Sequence, residues 1–471
     1  MSEKRIAIAG GGPSGLACAY TLARQGKEPF LVEKEDQVGG LCRTINFHGY
    51  LFDIGGHRFF SKNAEILELW RHVMGNDMLH VERKSKIYYR KRFFNYPLSF
   101  FNVFKNLGLW ESFRCVLSFI LNKYFRKRDE STLEGWITKQ FGERLFWIFF
   151  KSYSEKLWGK SCENISSDWA EQRIRGLSLR VAIRDMLSGN RKNAPTTLVR
   201  QFLYPRTGPG EFYERLKKNS AERGATITTG RRVVRIRHDG ARIVSVVAGD
   251  PRSRSGEEDI PVEYLFSSLP LPDLIKMLDP LPSSKDVLVA ARGLRFRSIL
   301  IVNIILDRKD LFPDQWIYVH SPEVKLGRIQ NYKNWSPAMT LDPNKTSLGL
   351  EYFCDEGDWF WRMNDVDLIN FAINEAEKIG ITSRRHLIDG FVVRNAYAYP
   401  VYNLDYKKHV AVIREYLSGF SNFQTMGRSG LFQYDNSDHA LYQGICAARN
   451  FLGHAKCDLW NLDSNRMYLE S

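Results

Sequence analysis

A glycine-rich turn near residue 10 is the first group whose residue types and spacing could do chemistry. Residues 5–9 read as a short buried strand, residues 16–24 read as an Ala-rich helix, and Gly-Gly-Gly-Pro-Ser-Gly joins them. Gly10 permits a tight turn, Gly12 lets the backbone approach a pyrophosphate, and Gly15 lets the helix pack closely on the strand. The N–H groups at the start of the helix point at such phosphates. The turn therefore predicts a dinucleotide site, with a glycine-rich surface turn as the alternative.

Glu33 ends the next apolar run, Phe30-Leu31-Val32. An acid about twenty residues beyond such a turn accepts hydrogen bonds from a ribose. A carboxylate there favours an unphosphorylated 2′-hydroxyl. These residues complete the strand–turn–helix–strand unit that holds a dinucleotide.

Two further glycine pairs indicate which dinucleotide binds. Gly39-Gly40-Leu41-Cys42-Arg43 follows Glu33, and Gly55-Gly56-His57 comes soon after. Both segments resemble the FAD-binding N-terminus of the amine oxidase, protoporphyrinogen oxidase and UDP-galactopyranose mutase group. The resemblance implies that the first segment lies along the flavin and that the second passes close to the isoalloxazine ring. Nicotinamide dehydrogenases lack the second element, so FAD is the expected cofactor. The alternative for the second pair is a tight turn.

The composition of the chain limits the number of domains and the cellular compartment that we expect for the protein. With 471 residues, 44% of them hydrophobic, the chain can build two or three domains. Its seven cysteines are scattered without metal-ligand spacing, which predicts reduced thiols, a cytoplasmic protein and no metal site. The N-terminus runs directly into the first strand, which leaves no room for a secretory signal.

The net charge of +15 limits the kinds of binding partner that the protein is expected to have. Basic residues concentrate at 83–92 and 123–128, partly beside aromatic side chains. No recognisable nucleic-acid-binding motif is present, so nucleic acid is not an expected partner. An anionic small molecule is the expected partner, while contact with an anionic membrane and a homodimer stay open. A solvated basic face is the plainer alternative.

The order of elements predicts an α/β fold built from three parts. A discontinuous Rossmann-type FAD-binding domain takes residues 1–75, 204–284 and 396–471. A helical insertion takes residues 76–203, and a substrate domain with an antiparallel sheet takes residues 285–395. Within the insertion, the apolar stretch 110–125 is too short to span a bilayer and reads as a buried or partner-facing helix, with interfacial membrane contact as the lesser alternative.

Beyond residue 56, the order of segments resembles UDP-galactopyranose mutase more than the oxidases. The run Tyr153-Ser154-Glu155-Lys156-Leu157-Trp158-Gly159 is similar to the mutase segment whose Trp lines the sugar pocket, and Tyr96-Pro97-Leu98 is similar to its Tyr-Pro motif. Gly327-Arg328-Ile329 resembles the strand that carries a diphosphate-binding arginine. Tyr399-Pro400-Val401 resembles a Tyr-Pro-hydrophobic element, and Gly427-Arg428 with Tyr434 resembles the C-terminal signature.

One departure from the mutase pattern leaves the substrate open. The family has two arginines around the segment that starts at Arg173, and the second of those positions is Leu177. Arg175 or Arg206 could supply the missing guanidinium. The exact sugar and nucleotide therefore stay open, as does the choice between isomerisation and net redox chemistry.

The resemblance implies an FAD-dependent enzyme that isomerises a nucleotide-linked sugar between pyranose and furanose forms through reduced flavin, in surface polysaccharide biosynthesis. The alternative is an FAD-dependent oxidoreductase that transfers hydride from an organic substrate to flavin. The expected location is the cytoplasm, with the inner face of the membrane as a peripheral option. The candidate catalytic residues are His57, Trp158, Arg328, Tyr399 and Tyr434. The candidate cofactor-binding residues are Gly10, Gly12, Pro13, Ser14, Gly15, Glu33, Lys34, Gly40, Leu41, Arg43, Gly55, Gly56, His57, Val234, Arg428 and Asp438.

Several of these residues have plain structural alternatives. Arg328 could form a surface salt bridge, and Trp158 could belong to the core. His57 could be a core histidine that bonds the backbone. Tyr434 could pack under a loop, and Asp438 could cap the last helix.

Overall fold

The computed structural model describes residues 4–96, 98, 100–174, 201–250, 253 and 256–462. Two large sheets with helices packed around them confirm the predicted α/β class. Among the described residues, no helix combines the length and the apolar character needed to cross a membrane. The seven cysteines are all free thiols.

The first sheet has eight strands, and its parallel core is assembled from distant parts of the chain. Strand Arg5–Ala9 pairs in parallel with Phe30–Val32 on one side and with Glu258–Ser267 on the other. The remaining strands are Thr226–Thr228, Arg232–His238, Ile243–Gly249, Leu278–Asp279 and Phe423–Thr425. Side chains of the first strand alternate between the two faces, because successive residues of a strand point in opposite directions. Ile6 and Ile8 enter one core and Ala7 and Ala9 the other.

Helices cover both faces of this sheet. One face carries Pro13–Arg24, Ala64–Met74, Gly210–Ala221 and Ser437–Phe451. The other face carries Leu271–Met277, Lys285–Gly293 and Tyr406–Ser418. This layered arrangement buries both faces of the parallel strands, which explains their continuous apolar composition.

The second sheet has seven strands and is antiparallel except for one parallel pair. Its strands in spatial order are Leu387–Pro400, Phe296–Leu306, Thr346–Cys354, Arg328–Asn331, Trp316–Val319, Ser85–Tyr89 and Arg92–Asn95. Helix Asp365–Lys378 packs on it. The described residues also form two antiparallel pairs: the hairpin of Thr44–Phe47 with Tyr50–Asp53, and the long-range pair of Met78–Glu82 with Gln201–Pro205.

The helical region follows strand Arg92–Asn95 in the sequence. Its helices are Phe100–Leu107, Leu109–Tyr124, Leu133–Phe141, Glu143–Leu145, Ser152–Trp158 and Asp168–Ile174. A π-helical stretch, Phe146–Lys151, connects two of them. Single turns are Gly40–Cys42, Cys162–Asn164, Tyr332–Asn334, Pro337–Met339, Arg384–His386, Gly427–Gly430 and Leu459–Asn461.

Three segments lie differently from the predicted domain boundaries. The hairpin of Ser85–Tyr89 and Arg92–Asn95, expected within the helical insertion, extends the second sheet instead. Helix Lys285–Gly293, expected in the substrate domain, packs into the core of the first sheet. Strand Leu387–Pro400 carries the second sheet past residue 396. Long-range strand pairing and packing decide these boundaries, and neither is visible in the local pattern.

The crossing of the first and last long helices depends on Gly444. A Cβ at this position would lie 2.1 Å from the carbonyl oxygen of Ser14 and 3.0 Å from the amide nitrogen of Cys18. We therefore expect Gly444→Ala to lower the free energy of unfolding by about 1–3 kcal/mol, the usual cost of overpacking. Urea unfolding measures this. Gly419→Ala is the control, since its Cβ would meet nothing closer than 3.3 Å; equal losses in both variants would contradict the packing argument.

Candidate functional site

The glycine turn forms a cradle at the carboxyl end of the first strand. Helix Pro13–Arg24 begins at a Gly12 with no side-chain cap and has no acidic residue in its first turn. A Cβ on Gly12 would meet no protein atom within 4 Å, whereas one on Gly15 would lie 1.9 Å from the Gly10 carbonyl oxygen. Gly15 thus permits close packing, and Gly12 faces open space beside uncapped N–H groups. This is the arrangement that binds a pyrophosphate.

Glu33 lies beside this cradle, as the spacing predicted. It is buried, and its Oε2 accepts a hydrogen bond from the Gly11 amide at 2.6 Å. A carboxylate has further lone pairs and can still accept from a ribose. Lys34 points outward, 3.6 Å from Glu35, so the structure does not bring it into the cradle. Arg43 is largely buried and lies 3.4 Å from the other oxygen of Glu35.

The segment after Glu33 runs along the cradle toward the second sheet. A Cβ on Gly40 would lie 3.3 Å from the Cα of Gly12, so the two glycines face each other closely. Leu41 packs against the apolar cluster that contains Trp158 and Tyr399. The Sγ of Cys42 lies 3.7 Å from the Nδ1 of His57.

The second glycine pair contacts the second sheet. A Cβ on Gly56 would lie 2.5 Å from the Trp316 ring and 3.0 Å from the Nε2 of Gln330. Gly55 has a positive φ of 90°, a conformation that favours glycine. These glycines therefore let the segment pack closely against the second sheet.

His57 is neutral at physiological pH. Burial, with smaller contributions from the charges of Arg428 and Arg328, lowers its pKa to about 4. Its Nε2 lies 2.9 Å from the carbonyl oxygen of Ile54. A carbonyl oxygen only accepts, so Nε2 carries the proton and donates a hydrogen bond to that oxygen. Nδ1 is then an acceptor that faces the Cys42 thiol, whose pKa burial raises to about 12.

Arg328 lies in strand Arg328–Asn331 and is buried. Its Nε donates to the Oε2 of the fully buried Glu351 at 2.5 Å, and a second nitrogen donates to the Tyr399 hydroxyl. Gln330 donates to the other oxygen of Glu351 at 2.8 Å. Arg328 is therefore not a surface ion-pair residue, and its guanidinium is held by a network.

Two stacked tyrosines join Arg328 to Arg428. The rings of Tyr399 and Tyr434 lie 5.6 Å apart at an angle of 17°. The Arg428 guanidinium lies 5.0 Å from the Tyr399 ring centre and 4.5 Å from that of Tyr434, and Arg328 lies 5.7 Å from Tyr399. Trp158 completes the wall, with its ring 6.0 Å from that of Tyr434. The structure thus brings all five candidate catalytic residues, counting His57, to one place.

Several buried polar atoms around this place have no hydrogen-bond partner among the described residues. They include three donors, the Nε1 atoms of Trp158 and Trp316 and the Nε of Arg428, and one acceptor, the Oε1 of Gln330. Buried donors are normally satisfied. Oxygen acceptors of a bound molecule would satisfy the three donors, and a hydroxyl or N–H group of that molecule would donate to Gln330. The site and the glycine cradle therefore fit a flavin dinucleotide together with a polar ligand.

The other candidates lie in different parts of the cofactor region. Val234 is the extra residue of a β-bulge, because Val233 pairs with Ala248 and Arg235 pairs with Val247. Its backbone groups are therefore offset from the ladder. Asp438 is buried in the first turn of the last helix, and burial raises its pKa. The cap of that helix is Asn436, not Asp438.

The second arginine of the proposed diphosphate clamp stays a prediction. Arg173 belongs to helix Asp168–Ile174, whereas Arg175, Leu177 and Pro97 lie outside the described residues. Arg206 is exposed at the end of strand Gln201–Pro205.

Glu351 is the main site residue that sequence reasoning missed. It interrupts the apolar run Leu348-Gly349-Leu350-Glu351-Tyr352-Phe353 of a central strand. A lone acid in such a strand is almost never buried without a partner, and this was the available signal. Trp316 and Gln330 carried no comparable signal, because only the fold brings them against Gly56.

Asp53 introduces a pH dependence of stability near the site. Its carboxylate accepts from the Tyr204 hydroxyl and, at 2.9 Å, from Thr44, while burial raises its pKa from 3.8 to about 7. Between about pH 4 and pH 7 the folded protein holds a proton that the unfolded chain has lost. The free energy of unfolding therefore falls as pH rises through this window.

We expect Asp53→Asn to remove this slope. The stability of the wild type minus that of the variant should decrease from pH 4 to pH 7. The slope from His57 has the opposite sign, because that pKa is lowered, but it is common to both proteins and cancels. Denaturant unfolding at several pH values measures the difference, and a difference that does not change with pH would contradict the assignment.

Comparison with known sequences places the chain in a family. The family of flavin containing amine oxidoreductases matches residues 13–440. UDP-galactopyranose mutase of Mycoplasma genitalium is 25% identical over 166 residues, which is 33% of this chain and 39% of that protein. A protein encoded in the nifH2 3′ region of Methanothermococcus thermolithotrophicus is 49% identical over 59 residues, 12% of this chain and 57% of that protein. The chain thus spans less than two thirds of either relative.

Comparison with solved structures gives the same fold over nearly the whole chain. The structure of reduced UDP-galactopyranose mutase matches with a TM-score of 0.82 at 22% identity. The match covers 98% of this chain and 97% of the mutase chain. The structure of putrescine oxidase bound to putrescine matches with a TM-score of 0.63 at 13% identity. The match covers 96% of this chain and 99% of the oxidase chain. At these identities the likeness establishes the fold. With a family match over most of its length and a glycine cradle that fits the dinucleotide, this chain belongs to the flavin-containing amine oxidoreductases and is an FAD-dependent enzyme.

Proposed function

We propose that this enzyme isomerises a nucleotide-linked sugar between ring forms, as a UDP-galactopyranose mutase does, in cytoplasmic synthesis of a surface polysaccharide. Bound in its reduced state, FAD would supply an electron-rich N5 that reacts with the anomeric carbon. The protein would then orient the sugar and stabilise the departing diphosphate.

One observation carries the proposal: two guanidinium groups lie over the ring of Tyr399. Arg328 and Arg428 are 5.7 and 5.0 Å from its centre, beside a His57 that they help keep neutral. Glu351 offsets the charge of Arg328, and the positive charge of Arg428 remains, which favours an anionic ligand over a cationic one. It argues against an amine substrate of the kind putrescine oxidase binds.

The surrounding residues suit a sugar diphosphate. The Arg328 guanidinium is held by Glu351 and by the Tyr399 hydroxyl, so it is oriented before a ligand arrives. Its Nη1 takes part in neither contact and carries two N–H groups that can donate to a phosphate oxygen. Trp158 offers an aromatic wall and a free indole N–H for a sugar hydroxyl.

Hydride transfer from an organic substrate is the second candidate. It is favoured by the aromatic side chains around Arg328, where Trp316 and Phe353 join Tyr399. An apolar substrate would pack on these rings but would leave the buried donors unsatisfied, which costs binding energy. For this reason the mutase reading ranks first.

An anaerobic assay separates the two functions. The FAD-loaded enzyme is incubated with UDP-, dTDP- and GDP-sugars, with and without dithionite, and the sugars are separated by chromatography. We expect one nucleotide sugar to give a new isomer only under reducing conditions. The Gly12→Val variant serves as the flavin-free control. Lack of any isomer across the panel, with flavin bleaching on addition of an organic hydride donor, would favour the oxidoreductase.

A further inference from the structure

We propose that helix Leu109–Tyr124 is a docking surface for an anionic lipid bilayer. The helix would lie flat in the headgroup region, with its apolar face toward the acyl chains and basic residues around it on the phosphates. This interaction is independent of the reaction that the flavin site performs.

The helix has an apolar face that no described part of the chain covers. Eight large apolar side chains between residues 109 and 125 are 39–76% exposed. Their spacing of three, four and seven residues places them on one side of a helix with 3.6 residues per turn. We call this set the apolar stripe; it consists of Leu109, Trp110, Phe113, Leu117, Ile120, Leu121, Tyr124 and Phe125.

The opposite side of the same helix is buried in the protein. Cys115, Phe119 and Asn122 are all buried, and Cys115 belongs to a core cluster with the hairpin strands. The helix is thus anchored by one face and presents a second apolar face to solvent. Contiguous exposed apolar surface on this scale marks an interaction site rather than a random surface.

The basic residues near the helix indicate which partner covers the apolar stripe. Residues 83–128 contain twelve Lys and Arg and a single acid, Glu111. The hairpin turn at Arg90-Lys91 lies beside the start of the helix, because Arg92 donates to the carbonyl of Asn106 and the Asn106 side chain donates back to Phe93. Lys127 is exposed just past the other end.

Basic residues at both ends of an apolar stripe match the anionic surface of a bilayer. A second copy of this chain, placed stripe to stripe, would bring two strongly basic segments together and be repelled. An uncharged, apolar protein partner would leave these Lys and Arg residues without counter-charges, whereas lipid phosphates would pair with them. The observations therefore favour lipid over self-association.

Vesicle co-sedimentation of the FAD-loaded, full-length enzyme tests the proposal. We expect binding to vesicles of phosphatidylcholine with one third phosphatidylglycerol to be at least about tenfold tighter than to pure phosphatidylcholine, and to weaken as salt increases. Phe113→Asp/Leu117→Asp should reduce binding at least about tenfold, because it places charge in the apolar face. Val366→Asp, at an apolar residue that is 68% exposed elsewhere, is the matched control and should bind like the wild type.

The basic residues have their own test. Lys91→Ala/Lys127→Ala should weaken binding about fivefold per residue removed. Lys218→Ala/Lys285→Ala, at exposed positions of two other helices, is the control. Retained flavin absorbance shows that each variant is folded.

Three outcomes would overturn the proposal. The first is equal binding to neutral and anionic vesicles, and the second is unchanged binding by the Phe113→Asp/Leu117→Asp variant. The third is a concentration-dependent dimer that this variant abolishes without any vesicle binding, which would assign the stripe to a second copy of the chain.

Discussion

Gly12→Val yields a folded protein without flavin: this is the largest effect we expect from a single substitution. The backbone at Gly12 is extended, with φ −72° and ψ −176°, a conformation that valine readily adopts. A Cβ there would meet no protein atom within 4 Å. The new side chain therefore disturbs no protein contact and occupies the space beside the helix N-terminus instead.

The expected loss of affinity follows from the phosphate contacts. Hydrogen bonds to charged groups contribute about 1.5–3 kcal/mol each. Displacing a pyrophosphate from two such N–H groups weakens FAD binding by at least about a hundredfold. Flavin content after gel filtration and fluorescence titration of FAD measure the change.

Gly15→Ala is the informative comparison for Gly12→Val. Its Cβ would lie 1.9 Å from a backbone carbonyl oxygen, so it should lose both flavin and stability. Urea unfolding without added FAD should give Gly12→Val the stability of the apo wild type. A yellow Gly12→Val protein with full flavin content would remove the turn from the cofactor site.

Arg328→Ala should lower the free energy of unfolding by about 3–5 kcal/mol, the usual cost of breaking a buried ion pair. The reason is Glu351, which is fully buried and would lose its 2.5 Å partner. Nucleotide-sugar binding should fall as well if Arg328 contacts the diphosphate. In the single variant, these two effects are mixed.

Arg328→Met/Glu351→Gln separates stability from binding. The pair is then replaced by neutral side chains of similar volume, so no buried charge is left alone and most of the stability should return. Ligand binding should stay weak, because the guanidinium is still missing. Denaturant unfolding gives the first quantity, and titration of the reduced holoenzyme with the nucleotide sugar gives the second.

Two results would contradict this account of Arg328. Unfolding of Arg328→Ala at the wild-type denaturant midpoint would mean that Glu351 needs no partner. Recovery of ligand affinity in the double variant together with stability would mean that Arg328 acts only as a structural residue.

Local patterns in the sequence were sufficient for the parts of the cofactor site that depend on backbone conformation. A strand, a glycine turn and a helix within residues 5–24 form from contacts between near neighbours, and Glu33 follows at a spacing set by the same unit. The FAD assignment rested on the resemblance of two more glycine segments, in the next 25 residues, to the FAD-binding N-terminus of a known family. All of these were readable because glycine is required wherever a backbone or a ligand approaches closely.

The fold alone decided how the candidate site is assembled. Arg328, Tyr399 and Arg428 are far apart in the chain, and their contacts follow from the pairing of strands Arg328–Asn331 and Thr346–Cys354 and from the position of Gly427–Gly430. The pairing places Glu351 directly opposite Arg328. Resemblance supplied the residue types, but it could not supply the partner that holds the guanidinium.

Burial was the second property that only the tertiary structure decided. The same apolar spacing in residues 109–125 describes a helix buried on all sides and a helix with one face in water. Composition is identical in both cases, whereas exposure depends on which elements pack nearby. The sequence by itself therefore determined the dinucleotide-binding unit, which follows from short-range geometry. It also determined the cofactor through a family resemblance and the class of the fold through the order of elements. The ion-pair network, the domain boundaries and the apolar stripe depend on long-range packing.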